Sequence, residues 1–441
     1  MSYSIGKDFK FFSLLGFALP SMIMMVFTSL YTIIDGIFIS RFVGSDALSA
    51  ANIIYPVLSI IIGVGIMLGS GGSAVVAKRM GQGHIQSARS GFTMIVLCGV
   101  IFSTIVLIAG NIWITPIVKM LGATPRLITD CRIYLGILLL FSPLYTLQLL
   151  FQTFFVTAGK PGIGLGITVF GGVANAVLDY WLMGPCNMGI AGAAIATGTG
   201  QMIPAVFGLF YFSISRESLY FTKPEMDWKL LMNSCFNGSS EMVSNLSAAV
   251  VTFLFNIIML KMQGEEGVAA ITIALYGQFL FNSLYLGYSM GVAPVTSYNY
   301  GKKNEKLLKR VTRINIWFIC VSAVFITTLS VMCNDFVVLV FSPRGSKTFE
   351  IASAGCLLFA LNYLFSGINI YSSSMFTALS DGKTSAIISF LRTFIILVLS
   401  ILFLPVLIGE KGVWLSVPVA EALTSIIVVI YIIRYKKVYR Y

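Results

Sequence analysis

Two aspartates lie inside strongly apolar stretches of this chain, where a negative charge is costly. Asp35 stands in "SLYTIIDGIFIS", six residues before Arg41, and Asp179 in "NAVLDYWLMG", six residues before Pro185. An ionised carboxylate at the centre of a bilayer costs about 2.5–3.5 kcal/mol on insertion scales. One interpretation is that both acids cap helix ends among lipid headgroups. The other, which we favour because several apolar residues follow each acid, is that they bind a proton or a cation.

Three further polar side chains can reach the same depth as the two aspartates. Tyr31 and Asn175 each precede an aspartate by four residues, so each pair shares one face of a helix. Thr197 lies eight residues into the returning segment that begins near 189. We therefore expect Asp35 and Asp179 to lie near each other, where repulsion between like charges and burial would favour a neutral form of at least one of them.

The second half of the chain has its own charges within apolar segments: Glu241, Arg392 and Glu421. Their distances from the flanking cations place all three in the inner half of the membrane or near its middle. An unpaired arginine there would be costly, so Arg392 should lie within salt-bridge reach of Glu241 or Glu421. Two roles remain open for the three residues, a structural ion pair between helices and a site for substrate.

The composition requires a membrane protein. Apolar residues make up 57% of the 441 residues and charged residues 10%, and the mean hydropathy is +0.90, against roughly 45–50% and 25% in soluble domains. The apolar runs are continuous rather than alternating, which excludes a transmembrane β-barrel. Twelve helical spans are predicted, at 11–38, 51–77, 91–117, 131–155, 162–184, 189–213, 233–260, 268–296, 311–333, 352–376, 385–408 and 412–434.

The basic residues predict the orientation. Twenty of the 29 lysines and arginines fall at the two termini and in the connections on the same side, and eight fall on the opposite side. Since positive charge accumulates at the cytoplasmic face, both termini should be cytoplasmic and the protein should span the inner (plasma) membrane. The net charge of +12 follows the same bias, so we expect a lipid bilayer and no nucleic acid as its partner.

The chain also repeats itself. Gly44 and Gly264 occupy similar segments 220 residues apart, as do Gly81 and Gly301. The repeat predicts an amino-terminal lobe of six helices in 1–215, a cytoplasmic linker in 216–232 and a carboxy-terminal lobe in 233–441. Two parallel six-helix repeats are typical of transporters, in which the lobes rock about a path between them.

With these features together, the sequence resembles the multidrug and toxic compound extrusion family over nearly its whole length. The resemblance is carried by "YTIIDGIFISRFVGSDALSAANIIYP", "GSGGSAVVAKRMGQG" and "NAVLDYWLMGPCNMGIAGAAIAT". It implies export of bulky, often cationic amphiphiles, driven by inward movement of protons or sodium, with no cofactor. The positions that match the family's cation-coupling pattern are Pro20, Tyr31, Asp35, Asn175, Asp179 and Thr197. Pro20 would be a helix pivot, and sodium could bind at Asp35, Asn175, Asp179 and Thr197.

The carboxy half departs from some members of that family. Their sodium site there uses acids in the seventh and tenth helices, but the tenth span here has no acid between Phe365 and Ser380, and Asn369 is the nearest polar substitute. The resemblance therefore does not extend to that sodium site. We expect a substrate cavity that includes Glu241, Arg392, Glu421 and Asn369.

Other function classes leave few signs in the sequence. A zinc protease with the HExxH motif is impossible with the single histidine, although an aspartyl protease that pairs Asp35 with Asp179 stays conceivable. A lipid-linked oligosaccharide flippase of the same superfamily is the main alternative, but its cavity should hold several cations, and only Arg392 fits. We expect a monomeric antiporter rather than an enzyme.

Overall fold

The computed structural model describes residues 4–441, and every regular element in that range is helical. One apparent helix, Trp228–Gly301, has 74 residues, which at about 1.5 Å per residue is far longer than any bilayer is thick. Gly264 divides it, because its φ of 71° and ψ of −159° are not helical. Two membrane helices therefore meet there at a single bent residue instead of the loop that the sequence predicts.

With that division, the described residues form twelve membrane helices, as predicted, and the chain is a multi-pass membrane protein. They are α1 (Phe11–Phe38), α2 (Ser45–Gly81), α3 (Ile85–Ile112), α4 (Ile128–Thr157), α5 (Pro161–Met183), α6 (Gly189–Ile214), α7 (228–263), α8 (265–301), α9 (Glu305–Met332), α10 (Lys347–Phe359 continued by Tyr363–Ala378), α11 (Gly382–Phe390 continued by Ile396–Ile408) and α12 (Glu410–Tyr439). Short helices Ile114–Met120 and Asn334–Phe341 follow α3 and α9.

Several helices are longer than their predicted spans because they continue beyond the hydrocarbon. The second, predicted over 51–77, runs from Ser45 to Gly81. The seventh begins at Trp228, inside the range expected for the linker. Its early start has a local cause, since the Asp227 carboxylate accepts a hydrogen bond from the Leu230 N–H at 2.9 Å and so caps the helix.

The repeat at 220 residues is visible as a reciprocal contact between the two lobes. A β-carbon on Gly81 in α2 would overlap the Tyr298 carbonyl in α8, and one on Gly301 in α8 would overlap the Lys78 carbonyl in α2. Only glycine allows the two backbones to approach so closely. Both contacts lie at the end of the bundle where the chain termini are, opposite the bend at Gly264, so the lobes meet closely at that end.

Helix α1 remains helical through Pro20. A proline removes one backbone hydrogen bond and crowds the carbonyl four residues earlier, yet the helix is uninterrupted from Phe11 to Phe38. Pro20 and Asp35 are fifteen residues apart, which is about 22 Å along a helix axis. The pivot at Pro20 stays a prediction.

Candidate functional site

In the amino lobe, Asp35 of α1 and Asp179 of α5 face each other. Asp179 is fully buried, and the two carboxyl groups lie close enough to share a proton. Neither oxygen of Asp179, nor the buried Oδ1 of Asp35, accepts a hydrogen bond from any residue in 4–441. Two carboxylates at such close range repel each other when both are ionised, so the arrangement favours binding of a proton or a cation at the pair.

The polar residues one turn below the aspartates enclose a small cavity. Tyr31, Asn175 and Thr197 all line it, so the structure brings together the three residues that sequence spacing placed at one depth. The cavity has room for about one water molecule or one small ion. Within the described chain, Asn175 Nδ2 and Thr197 Oγ1 have no hydrogen-bond partner. Buried polar atoms without partners are places where a small polar ligand can bind.

Sequence reasoning missed three amide and phenol side chains at this site. Gln148 of α4 and Gln201 of α6 line the cavity with Tyr31, and Tyr134 of α4 is buried within electrostatic reach of both aspartates. The sequence does contain an indication of these residues. Burying an amide such as Gln148, in the apolar run "YTLQLLFQTFF", is unfavourable unless it has a polar partner.

In the carboxy lobe, Arg392 forms a buried ion pair with Glu421 of α12. Arg392 Nη2 and Nε lie 2.8 and 2.9 Å from Glu421 Oε1, and Nε lies 3.0 Å from Oε2. The two side chains are 14% and 6% exposed. The prediction that Arg392 lies within salt-bridge reach of Glu241 or Glu421 is confirmed, with Glu421 as its partner.

Arg392 lies in a short segment of α11 that is not α-helical. Residues Leu391–Ile395 form a π-helical turn between the two α-helical parts. The insertion rotates the side chains that follow it, and such turns occur frequently at functional positions.

Asn369 of α10 completes the network around Glu421. Its Nδ2 donates to Glu421 Oε2 at 2.7 Å, and its Oδ1 accepts a bond from Ser425 Oγ at 3.1 Å. The guanidinium and the amide together therefore satisfy both oxygens of Glu421, so this acid is neutralised within the protein.

Glu241 of α7 differs from Glu421. It is partly buried and lies within electrostatic reach of Arg392, but it makes no hydrogen bond or ion pair to any residue in the described range. Of the three charges predicted in the carboxy lobe, two neutralise each other and Glu241 keeps a carboxylate that can take a cationic partner.

Comparisons with known proteins agree with this architecture. The MatE family model matches residues 20–181 and 242–402, most of both lobes. The multidrug export protein MepA of Staphylococcus saprophyticus subsp. saprophyticus is 23% identical over 455 residues, covering 98% of this chain and 96% of that protein. MepA of Staphylococcus aureus (strain NCTC 8325) is 24% identical over 463 residues, with the same coverage.

A solved structure described as the outward-facing conformation of a multidrug resistance MATE family transporter of the MOP superfamily has the same fold. Its TM-score is 0.91 at 21% identity, and the alignment covers 97% of this chain and 96% of that one. Together with two six-helix lobes that each bury a polar cluster, the match of the family model to both lobes shows that this chain belongs to the MatE (multidrug and toxic compound extrusion) family of transporters.

Proposed function

We propose that the protein is a secondary antiporter that exports amphiphilic, often cationic compounds in exchange for protons or sodium by alternating access. The relatives named multidrug export protein support the export of such compounds, because they align over nearly the whole chain. The twelve helices in two lobes match the transporter fold.

The observation that carries the proposal is the contact between Asp35 and Asp179 inside the amino lobe. A proton or a sodium ion that enters this pair removes the repulsion between two buried carboxylates, and its release restores that repulsion. The energy of the pair therefore depends on ion binding, which is the property that an antiporter needs to couple two movements.

We expect the coupling ion to be the proton. Two carboxyl groups in direct contact can share one proton with no other ligand, whereas sodium needs several oxygen ligands around it. Tyr31, Asn175 and Thr197 supply oxygens one turn away at the small cavity. Sodium therefore remains the alternative that the transport measurement below distinguishes.

The charges in the carboxy lobe favour a cationic substrate. Glu421 and Arg392 neutralise each other, so the charge left for a ligand is the negative one of Glu241. A flippase for a pyrophosphate-linked lipid would need cations that are free to bind phosphate, but Arg392 is already held by Glu421. The arrangement therefore favours export of organic cations over the flippase alternative.

The arrangement of the lobes supports alternating access. Their glycine contacts at Gly81 and Gly301 lie at the end with both chain termini, while Asp35 lies near the other end of α1. If the termini are cytoplasmic and the protein is a monomer in the inner membrane, as we propose, the lobes are closed toward the cytoplasm. Export then requires that these contacts separate to admit substrate from inside.

Efflux from vesicles tests the proposal. The purified protein is reconstituted into phospholipid vesicles loaded with a fluorescent organic cation, and proton and sodium gradients are imposed separately. The proposal predicts efflux under an inward proton gradient and little under an inward sodium gradient alone. Efflux driven only by the sodium gradient would identify sodium, instead of the proton, as the coupling ion. No efflux under either gradient would contradict antiport.

A further inference from the structure

The first turns of α9 carry a row of cations at the end of the molecule with the chain termini. Lys306, Arg310, Arg313 and Trp317 follow one another at intervals of four, three and four residues, so they share one face of the helix. Arg310 is ion-paired with Asp8 at 2.6 Å. Lys306 and Arg313 are exposed and make no hydrogen bond or ion pair with any residue in 4–441.

Aromatic side chains border this row on its membrane side. The rings of Phe11 and Trp317 are 5.3 Å apart in an edge-to-face contact, which joins the start of α1 to α9. Trp317 is 56% exposed and Phe12 is 82% exposed. Cations next to exposed aromatic rings at a helix end are typical of the level of the lipid headgroups.

The equivalent surface of the amino lobe is covered by protein. At the offset of 220 residues, Arg89 of α3 corresponds to Lys309 and Thr93 to Arg313. Arg89 donates to the carbonyls of Ser218 and Glu217 at 3.1 and 3.0 Å and to the Tyr220 hydroxyl at 2.8 Å, all in the linker before α7. Thr93 Oγ1 accepts a bond from the linker N–H of Thr222 at 3.0 Å.

The carboxy lobe thus exposes the surface that its counterpart covers, and it carries more positive charge there. The acids nearby are already neutralised, since Asp8 pairs with Arg310 and Glu305 pairs with Arg440 at 2.6 Å. Lys309 lies within electrostatic reach of Glu305 and is exposed, as is Lys10 before α1. The surface therefore keeps a net positive charge that an anionic ligand can neutralise.

We propose that the α9 basic surface, formed by Lys10, Lys306, Lys309 and Arg313 with Phe12 and Trp317, binds the headgroup of an anionic phospholipid. The phosphate would lie among the cations, and the acyl chains would lie along the exposed aromatic rings. A soluble acidic partner would use the cations but would leave Phe12 and Trp317 without a role. Because Lys10 belongs to the amino lobe, at the start of α1, and Arg313 belongs to the carboxy lobe, one bound lipid contacts both lobes.

Native mass spectrometry of the full chain in a neutral detergent tests the proposal, with phosphatidylglycerol as the titrated probe. The double variant Lys306→Gln, Arg313→Gln should bind it about tenfold more weakly or worse, since each cation near an anionic lipid contributes roughly 1 kcal/mol. The matched control is Lys436→Gln, Lys437→Gln, which removes the same charge from exposed positions on α12 at the same end. The control should bind like the wild type.

Two further measurements separate a lipid site from other sources of binding. Glycerol phosphate at millimolar concentration should not displace the lipid, because it lacks acyl chains. Brominated phosphatidylglycerol should quench tryptophan fluorescence more in the wild type than in Trp317→Phe. Unchanged affinity in the Lys306 and Arg313 variant, an equal loss in the control, displacement by glycerol phosphate or unchanged quenching in Trp317→Phe would each overturn the proposal.

Discussion

Replacing Arg392 by methionine should destabilise the carboxy lobe strongly. The substitution keeps much of the side-chain volume but leaves the Glu421 carboxylate buried with Asn369 as its remaining donor. Breaking a buried ion pair on one side costs about 3–5 kcal/mol in soluble proteins, because the remaining charge is uncompensated. The bond from Asn369 at 2.7 Å is retained, so we expect about 3 kcal/mol, the lower end of that range.

A second substitution should recover most of this loss. Glu421→Gln removes the orphaned charge and keeps an oxygen that can accept the bond from Asn369. The double variant Arg392→Met, Glu421→Gln should therefore lie within about 1 kcal/mol of the wild type, as expected when both charges of a buried pair are removed. The comparison separates the penalty of an unpaired charge from the loss of packing.

The measurement is equilibrium unfolding in mixed micelles of sodium dodecyl sulfate and a nonionic detergent, followed by circular dichroism. Thr393→Val is the matched control, because Thr393 lies beside Arg392 and its hydroxyl bonds only to the Ser389 carbonyl of its own helix, at 2.8 Å. The control should change the free energy of unfolding by less than about 1 kcal/mol. An Arg392→Met variant as stable as the control, or a double variant no better than the single one, would refute this reasoning.

Substitutions at three other residues follow from the structure. Pro20→Ala restores a backbone donor in α1 and should slow turnover more than it weakens substrate binding; unchanged turnover with lost affinity would place Pro20 in the binding site instead. Glu241→Gln should weaken binding of organic cations, measured by fluorescence anisotropy, and leave neutral amphiphiles unaffected. Asp227→Ala should lower stability by about 1 kcal/mol through loss of the cap on α7, whereas Asp227→Asn, which can still cap, should lose less.

The ion pair of Asp227 should also give a dependence on pH. The Arg79 guanidinium, which donates to Asp227 at 2.7 Å, and the Leu230 N–H hold the pKa of this carboxyl below its ordinary value. A lowered pKa means that the stabilisation is present above the unfolded-state pKa and is lost as the pH falls through the folded-state value. Stability of the wild type and of Asp227→Asn should therefore converge in acid; a constant difference between them would contradict this assignment.

For both sites, the sequence could predict the depth of the polar side chains in the membrane. Counting residues from the span ends put Asp35, Asp179 and Thr197 at one level, and the structure places the two aspartates in contact. Counting residues does not give the direction in which a side chain points around its helix axis. The sequence therefore could not distinguish Glu241 from Glu421 as the partner of Arg392. The π-helical turn at Leu391–Ile395 shifts that rotation and leaves no sign in the apolar pattern.

The fold was predictable for a similar reason. Apolar runs separated by polar residues determine the number of helices, and the repeat of Gly81 and Gly301 indicates two lobes. Helix ends were less predictable, since α2 and α7 continue past the hydrocarbon and the bend at Gly264 replaces a predicted loop. Gln148 and Gln201 were not predicted because an amide carries no charge and costs less to bury than an acid. Its presence in an apolar run is therefore a weaker indication of a polar site.

The central claim is that Asp35 and Asp179 couple ion entry to export. The most direct measurement is efflux of a fluorescent organic cation from vesicles under an imposed inward proton gradient, with Asp35→Asn and Asp179→Asn compared with the wild type. Thr32→Val is the control, since Thr32 is exposed on α1 and its hydroxyl bonds to the Thr28 carbonyl of its own helix. Both aspartate variants should insert normally and lose driven efflux while the control keeps it; efflux at the wild-type rate in both would contradict the account.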